Sequence, residues 1–341
     1  MPENFHQPEW FWDLIGIPYQ ENGAEFNVNG RELTIVGGIP RSKELLSDAQ
    51  NQTKEVFGFK WSKRNTFEEG ITCYMKSWLK EKYGDIAKLS VFADAHQNPI
   101  VLDAGCGASM SGLALFEPVL NRIKYIGADV STAVDIAAAR FHERGLNAAF
   151  LQADLMQLPL EKESVDLIFS EGVLHHTDST SSALSTVTRY LKPGGYILFY
   201  VYRKKGPVRE FTDDFLRDKL QTMSPEEGWR AIEPLTKLGK ALGELNIEIE
   251  VPEQIELLDI PAGKINLQRF FYWHVCKAFF RAEMTLDEMN HINYDWFAPR
   301  NAHRQTAQEV REWCKNLGLE IERETIEDAG ITIVAKKGDN A

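Results

Sequence analysis

Cysteine is scarce in this chain: Cys73, Cys106, Cys276 and Cys314 are the only four in 341 residues, with no C-x-x-C pair and no histidine at zinc-ligand spacing. That excludes a disulfide-stapled scaffold and a structural zinc site, so no metal is expected, and reduced thiols fit a cytoplasmic protein. Positive charge is also short: 38 Lys and Arg stand against 50 Asp and Glu, for a formal net charge of −12. Without an overall positive field, and without a Lys/Arg run interleaved with aromatics, nucleic acid is not expected as a partner. Long apolar runs are missing too, since no stretch approaches about eighteen consecutive apolar residues. Residues 1–12 lack the basic start and apolar run of a leader. Neither membrane spanning nor secretion is expected.

What is present is a hydrophobic content of 43%, enough for one large core with a substantial insertion. The middle of the chain alternates short apolar runs with helical stretches, the mark of a parallel sheet built from βαβ units. The runs are 99–103 (P-I-V-L-D), 124–129 (K-Y-I-G-A-D), 148–154 (A-A-F-L-Q-A-D) and 165–170 (V-D-L-I-F-S), each ending at a polar or acidic residue. A fifth, 196–202 (Y-I-L-F-Y-V-Y), follows Leu191-Lys192-Pro193-Gly194-Gly195, where Pro and Gly are expected to stop a helix and reverse the chain. In such a sheet the ligand sits outside the carboxyl ends of the strands, so the terminal acids converge on one crevice.

About a hundred residues then intervene, far more than the usual connection of about 2–6 residues. The spacing predicts an inserted cap, with helices opened by Ser224-Pro225-Glu226-Glu227 and Thr285-Leu286-Asp287-Glu288, each a hydroxyl followed three residues later by a carboxylate. A third such signal at Thr306 to Glu309 opens a helix closed by Gly318, and 319–326 with 331–336 read as a terminal hairpin. The expected organisation is an N-terminal extension or lid over 1–92, a core over 93–203, a mainly helical cap on the substrate side over 204–304, and a last helix with β-hairpin over 305–341. The extension shows no strand alternation and is expected to carry a helix near 66–83.

Between the first strand and the next helix lies Asp103-Ala104-Gly105-Cys106-Gly107. A dinucleotide loop would need a third glycine where Met110 stands, so the hydride-transfer fingerprint is broken. What remains is D-x-G-x-G, then Asp129 and Asp154 at the next two strand ends, Leu174-His175-His176 after the fourth strand and the Leu191 to Gly195 turn before the fifth. This series resembles the class I S-adenosylmethionine-dependent methyltransferases, with their Rossmann-like α/β sheet, over about 95–203 and the closing hairpin. The resemblance implies S-adenosylmethionine as cofactor and S-adenosylhomocysteine as product. The loop 103–107 would flank the methionyl part, with Asp103 holding its ammonium directly or through water. Asp129, with Val130 beside it, would accept the ribose hydroxyls. Asp154 and the Leu155 amide would meet the adenine, unless Asp154 is only a helix cap, and Ser170 and Glu171 would line the methionyl side.

Methyl transfer requires alignment of acceptor and donor, and a base where the acceptor keeps its proton. Either His176 or His175 is the candidate base, the alternative being that the pair only orders its loop. Within 293–304 (N-Y-D-W-F-A-P-R-N-A-H-R), Asp295 or His303 would orient an acceptor, Trp296 would line its pocket and Arg304 would pair with an anionic group; otherwise the segment packs the cap onto the core. Tyr202 and Tyr272 are further candidates for the substrate wall, while the aromatic cluster Phe270 to Trp273 also reads as helix core. Tyr74 would cover the site or simply pack. Gly38-Ile39-Pro40-Arg41 and Phe57-Gly58-Phe59-Lys60-Trp61 resemble an extension that precedes some bacterial methyltransferase domains. The reading is a methyltransferase of a small acceptor, at oxygen first, with nitrogen, carbon or sulfur transfer or non-catalytic binding of the cofactor as alternatives.

Overall fold

Strands buried on both faces must be apolar throughout, and the five runs read above are the centre of the observed sheet. The computed structural model describes residues 5–43, 46–63, 71–94 and 98–339, and of 71–74 the backbone alone. Its strands in chain order are β1 (Glu25–Val28), β2 (Arg31–Val36), β3 (Ile39–Ser42), β4 (Ile100–Ala104), β5 (Lys124–Asp129), β6 (Ala148–Gln152), β7 (Val165–Glu171), β8 (Leu191–Tyr202), β9 (Glu248–Val251), β10 (Gly263–Asn266), β11 (Leu319–Ile326) and β12 (Gly330–Lys337). Ten of them form one sheet in the order β1-β2-β3-β6-β5-β4-β7-β8-β12-β11, and β9 with β10 makes a separate hairpin. The pairs from β6 through β8 are parallel and the β12 and β11 edge is antiparallel. The fold is a Rossmann-like α/β sheet.

Alternation along each strand sends successive side chains to opposite faces, and two cores result. Leu102, Ile126, Leu151 and Ile168 pack with Phe11 and Leu33 on one face. Val101, Tyr125, Phe150 and Phe169 pack with Phe116 and Phe141 on the other. Each such fully buried side chain contributes about 1.5–3 kcal/mol relative to exposure.

The helices are α1 (Glu9–Ile15), α2 (Asp48–Ser62), α3 (Ile71–Tyr83), α4 (Met110–Phe116), α5 (Ala133–Glu143), α6 (Thr180–Thr188), α7 (Pro207–Leu220), α8 (Pro225–Leu245), α9 (Leu267–His274), α10 (Leu286–Phe297) and α11 (Ala307–Asn316). Reciprocal capping boxes open α8 at Ser224, α10 at Thr285 and α11 at Thr306, where their spacing placed them. The start of the helix expected near 66–83 falls within 64–70, which lie outside the described residues.

Two expectations are corrected. The extension does carry strands: β1 to β3 form a meander, and β3 joins β6 in parallel at Arg41 and Gln152. These strands are short and partly exposed, so their apolar residues are too few to show the alternation. The Leu191 to Gly195 segment does not end a helix, because α6 stops at Thr188. It belongs to β8 as an irregularity where the partner of β7 moves from Leu191 to Tyr196 between Val165 and Leu167, with Gly194 at φ 73°. The insertion is helical apart from the β9–β10 hairpin. No helix among the described residues is long and apolar enough to cross a membrane.

Candidate active site

β4, β5 and β6 run outward in one direction from the sheet centre and β7 and β8 in the other, so the order reverses between β4 and β7. Outside the carboxyl ends of these strands lies a cavity of about 520 Å³, within the range of ligand sites. Gly105 and Gly107, Asp129 and Val130, Asp154 and Leu155, and Glu171 all line it. The two glycines are required by their surroundings. Both have positive φ, 84° and 51°. A Cβ on Gly105 would lie 2.2 Å from Val173, and one on Gly107 would lie 2.8 Å from Trp61 Nε1.

This end of the cavity is acidic. Asp129 accepts hydrogen bonds from the Gly107 amide at 2.8 Å and from the Ser131 amide and hydroxyl at 2.8 and 2.7 Å. Asp154 caps a short turn by accepting the Met156 amide at 3.0 Å, yet still faces the cavity, so its two expected roles coexist. Glu171 accepts the Tyr83 hydroxyl and lies 3.7 Å from Lys82, both on α3. Burial raises the pKa of Asp129, Asp154 and Glu171. Behind them burial lifts Asp103 to about 7, with Asp129 and Glu171 adding to the rise and the Tyr125 hydroxyl opposing it. A buried surplus of carboxylates is the complement of a cationic ligand.

Asp103, Ala104, Cys106 and Ser170 are not on the cavity wall. Asp103 accepts the Tyr125 hydroxyl and is 3% exposed, so a direct grip on a ligand ammonium is not what its position provides. Ser170 donates to the Ala104 carbonyl at 2.9 Å and ties β7 to β4. Cys106 is buried beneath the loop.

Residues 102–199 match the family model described as a methyltransferase domain. That stretch of the chain is similar to methyltransferase domains. Relatives include phthiotriol/phenolphthiotriol dimycocerosates methyltransferase 1 of Mycobacterium ulcerans, 30% identical over 128 residues, which are 37% of this chain and 46% of that protein. An uncharacterized methyltransferase of Bacillus subtilis is 35% identical over 122 residues, 36% of this chain and 51% of the relative. Malonyl-(acyl-carrier protein) O-methyltransferase of Marinomonas is 29% identical over 124 residues, 35% of this chain and 46% of the relative. The chain thus spans about half the length of the relatives it matches, and the extension and the insertion lie outside the matched family model.

Those outlying segments supply the rest of the cavity wall. From α2 come Phe57, Lys60 and Trp61, and from the insertion Tyr272, Lys277, His291, Asp295 and Trp296. Lys60 forms an ion pair with Asp295, whose other oxygen accepts the Tyr202 hydroxyl at 3.1 Å. Burial alone would raise the Asp295 carboxyl, but Lys60, His176 and Lys277 together hold it well below the carboxylate range. Asp295 is therefore a fixed anion that orients Tyr202. Trp296 is held by its Nε1–H, which donates to Asp213 at 2.7 Å, and lies 4.2 Å from the Tyr202 ring centre.

Of the two histidines after β7, His176 lines the cavity and His175 does not. The Nδ1 of His176 lies 2.6 Å from the Asn301 carbonyl. A carbonyl only accepts, so Nδ1 carries the proton and Nε2 the lone pair. Nε2 is buried with no protein partner, and burial pushes the imidazole pKa down to about 4. His175 is fully buried, its ring centre 3.7 Å from that of Tyr202, where it packs. His303 contacts the Thr177 carbonyl at 3.0 Å, and Arg304 pairs with Glu210 and Asp214, both at 2.7 Å. Neither reaches the cavity, and both face a separate groove. The charge of Arg304 is already matched, so it tethers the end of the insertion to α7. Tyr74 lies on α3, but its side chain is outside the described residues.

Sequence reasoning did not single out Lys60, Trp61, Lys82, Tyr83, Lys277 or His291 as individual site residues. The signal for the first two was the Phe57 to Trp61 stretch, noted only for its family resemblance; the others sit in ordinary amphipathic helices or loops.

Proposed function

We propose that the chain transfers the methyl group of S-adenosylmethionine to an oxygen of a small acceptor, inside the cavity closed jointly by the extension and the insertion. One observation carries this reading: a single cavity joins the acidic strand ends of the methyltransferase domain to an aromatic wall built by α2, α9 and α10, with a neutral histidine on its lining. The acidic end fits the cofactor, which is cationic at its sulfonium and its ammonium. Asp129 would hold the ribose, Asp154 and Leu155 the adenine, and the Gly105 and Gly107 backbone with Glu171 the methionyl portion. When bound there, S-adenosylmethionine supplies an electrophilic methyl group. Trp61 and Trp296 exclude water, and the Tyr202 ring, fixed by Asp295, helps to set the acceptor's plane. His176 Nε2 is the lone pair available to accept a hydroxyl proton from the acceptor, which favours oxygen as the methylated atom. The Marinomonas relative is named for O-methyl transfer, which agrees with that choice.

Calorimetric titration with S-adenosylhomocysteine tests the cofactor half of the proposal. Wild-type protein should bind, and Asp129→Ala should weaken binding about tenfold or more. Unchanged affinity in the variant would remove Asp129 from the site. Incubation with methyl-labelled cofactor and cell extract tests the acceptor half, since label is expected in small metabolites; label confined to protein or RNA would overturn it.

A further inference from the structure

The chain is acidic overall, yet the acceptor end of the cavity is cationic. Lys205 and Lys277 line it together with Arg209 and Arg269. Arg209 is neutralised by Asp213, its Nε 2.9 Å from both carboxylate oxygens, and Lys60 by Asp295. Lys205 and Lys277 have no such partner. The Lys205 ammonium donates to the Arg203 and Ala329 carbonyls at 2.6 and 3.0 Å, and Lys277 donates to the Ile292 carbonyl at 3.1 Å. Neither is within ion-pair distance of a carboxylate among the described residues. Both ammoniums stand over one ring, 5.5 and 4.7 Å from the Trp296 centre, a weak substitute for an anion. Asp295, the first carboxylate acting on Lys277, already serves Lys60 and the Tyr202 hydroxyl.

Resting on the methyl-transfer reading above, we propose that the acceptor bears an acidic group, a carboxylate or phosphate, held between Lys205 and Lys277 with its planar body against Trp296. Lys277 is buried and Lys205 half-buried, and two ammoniums on the cavity wall without a hydrogen-bonded carboxylate cost stability that a bound anion would recover. Burial pushes both lysines down to about 7, with Arg209 adding to the effect and opposed by Glu210 and Asp213 at Lys205 and by Asp295 and Asp213 at Lys277. Arg269 lines the same wall, its guanidinium 5.6 Å from the Tyr272 ring centre, and extends the positive field. Trp296, Tyr272 and Trp273 supply flat apolar surfaces for the rest of the molecule. The acid therefore selects the acceptor, while the cofactor occupies the opposite, carboxylate-lined end.

The test titrates benzoate, phenyl phosphate and neutral benzamide into the protein loaded with S-adenosylhomocysteine, following tryptophan fluorescence. Benzoate or phenyl phosphate should quench saturably at least about tenfold more tightly than benzamide. Which acid binds more tightly tells carboxylate from phosphate. Lys277→Met and, separately, Lys205→Met should each reduce that preference to about threefold or less while cofactor-product affinity stays as in wild type. Benzamide binding as tightly as both acids, or no saturation by either acid up to about 10 mM, overturns the proposal whatever the variants do. The same comparison is run without S-adenosylhomocysteine. A failure of that ligand to bind then counts against the methyl-transfer reading, while the acid preference is read independently.

Discussion

At the scale of single residues the site depends on where lone pairs and protons are left. His176 is defined by one contact, since the Asn301 carbonyl fixes the proton on Nδ1 and leaves Nε2 as the acceptor. His176→Gln keeps the volume but offers an amide instead of a basic nitrogen. It is expected to lower kcat about 10²-fold with little change in KM, checked by steady-state kinetics on an identified acceptor. Because the imidazole titrates near 4, the wild-type rate should show no loss from this group between pH 8 and about 5, and should fall as the ring protonates below that. The glycines were legible from sequence because the loop needs them for backbone reasons. Sequence could not tell that the side chain pressing on Gly107 would be Trp61, 46 positions earlier in the chain.

At the scale of elements, the cavity is closed where α2 meets α10. Gln52 donates to the Ala298 carbonyl at 2.8 Å and accepts the Arg300 amide at 2.8 Å, and Phe59 packs edge-on against Tyr294 at 5.8 Å. With Lys60 joined to Asp295, α2 and α10 form one roof. Binding of S-adenosylhomocysteine beneath Trp61 should slow amide exchange in the second half of α2, measured by hydrogen–deuterium exchange; unchanged exchange there would show that the helix does not cover the ligand. The far side of the roof depends on Arg209 and Asp213 of α7, whose side chains are 1% and 2% exposed. Arg209→Met leaves the buried Asp213 carboxylate with the Trp296 indole as its remaining hydrogen-bond donor. It is expected to cost about 3–5 kcal/mol by denaturant unfolding and to shift the tryptophan emission.

At the scale of the whole molecule, buried titratable groups tie stability to pH. His176 and His291 are pushed by burial to about 4 and about 3, and His175 also lies well below its ordinary value. The unfolded chain takes up protons near 6.5 that the folded chain refuses, so these groups make stability fall as pH drops from about 6.5 to about 4. Asp103 acts in the opposite direction: raised to about 7, it binds a proton in the folded state over part of the same range. Comparing variant with wild type removes the shared contributions. His176→Gln should lose less stability than wild type between pH 6.5 and 4, by on the order of 3 kcal/mol, read from urea midpoints across that range. An equal loss in both proteins would show that the ring is not held neutral.

Local chemistry determined a great deal by itself. Continuous apolar runs produced the buried parallel strands, the spacing of hydroxyl and carboxylate produced three capping boxes, and strand-ending acids placed Asp129 and Asp154 at one crevice. All these signals act over a few residues, where backbone geometry repeats every 2 or about 3.6 positions. The tertiary structure alone decided which distant groups meet there. Lys60 and Asp295, 235 positions apart, become an ion pair. His303 and Arg304, a few residues from Asp295, turn to a different groove because Thr177, Glu210 and Asp214 satisfy them. Lys205 and Lys277 converge on Trp296 from separate segments. No local period specifies such encounters, because they arise only when the extension and the insertion fold over the same strand ends.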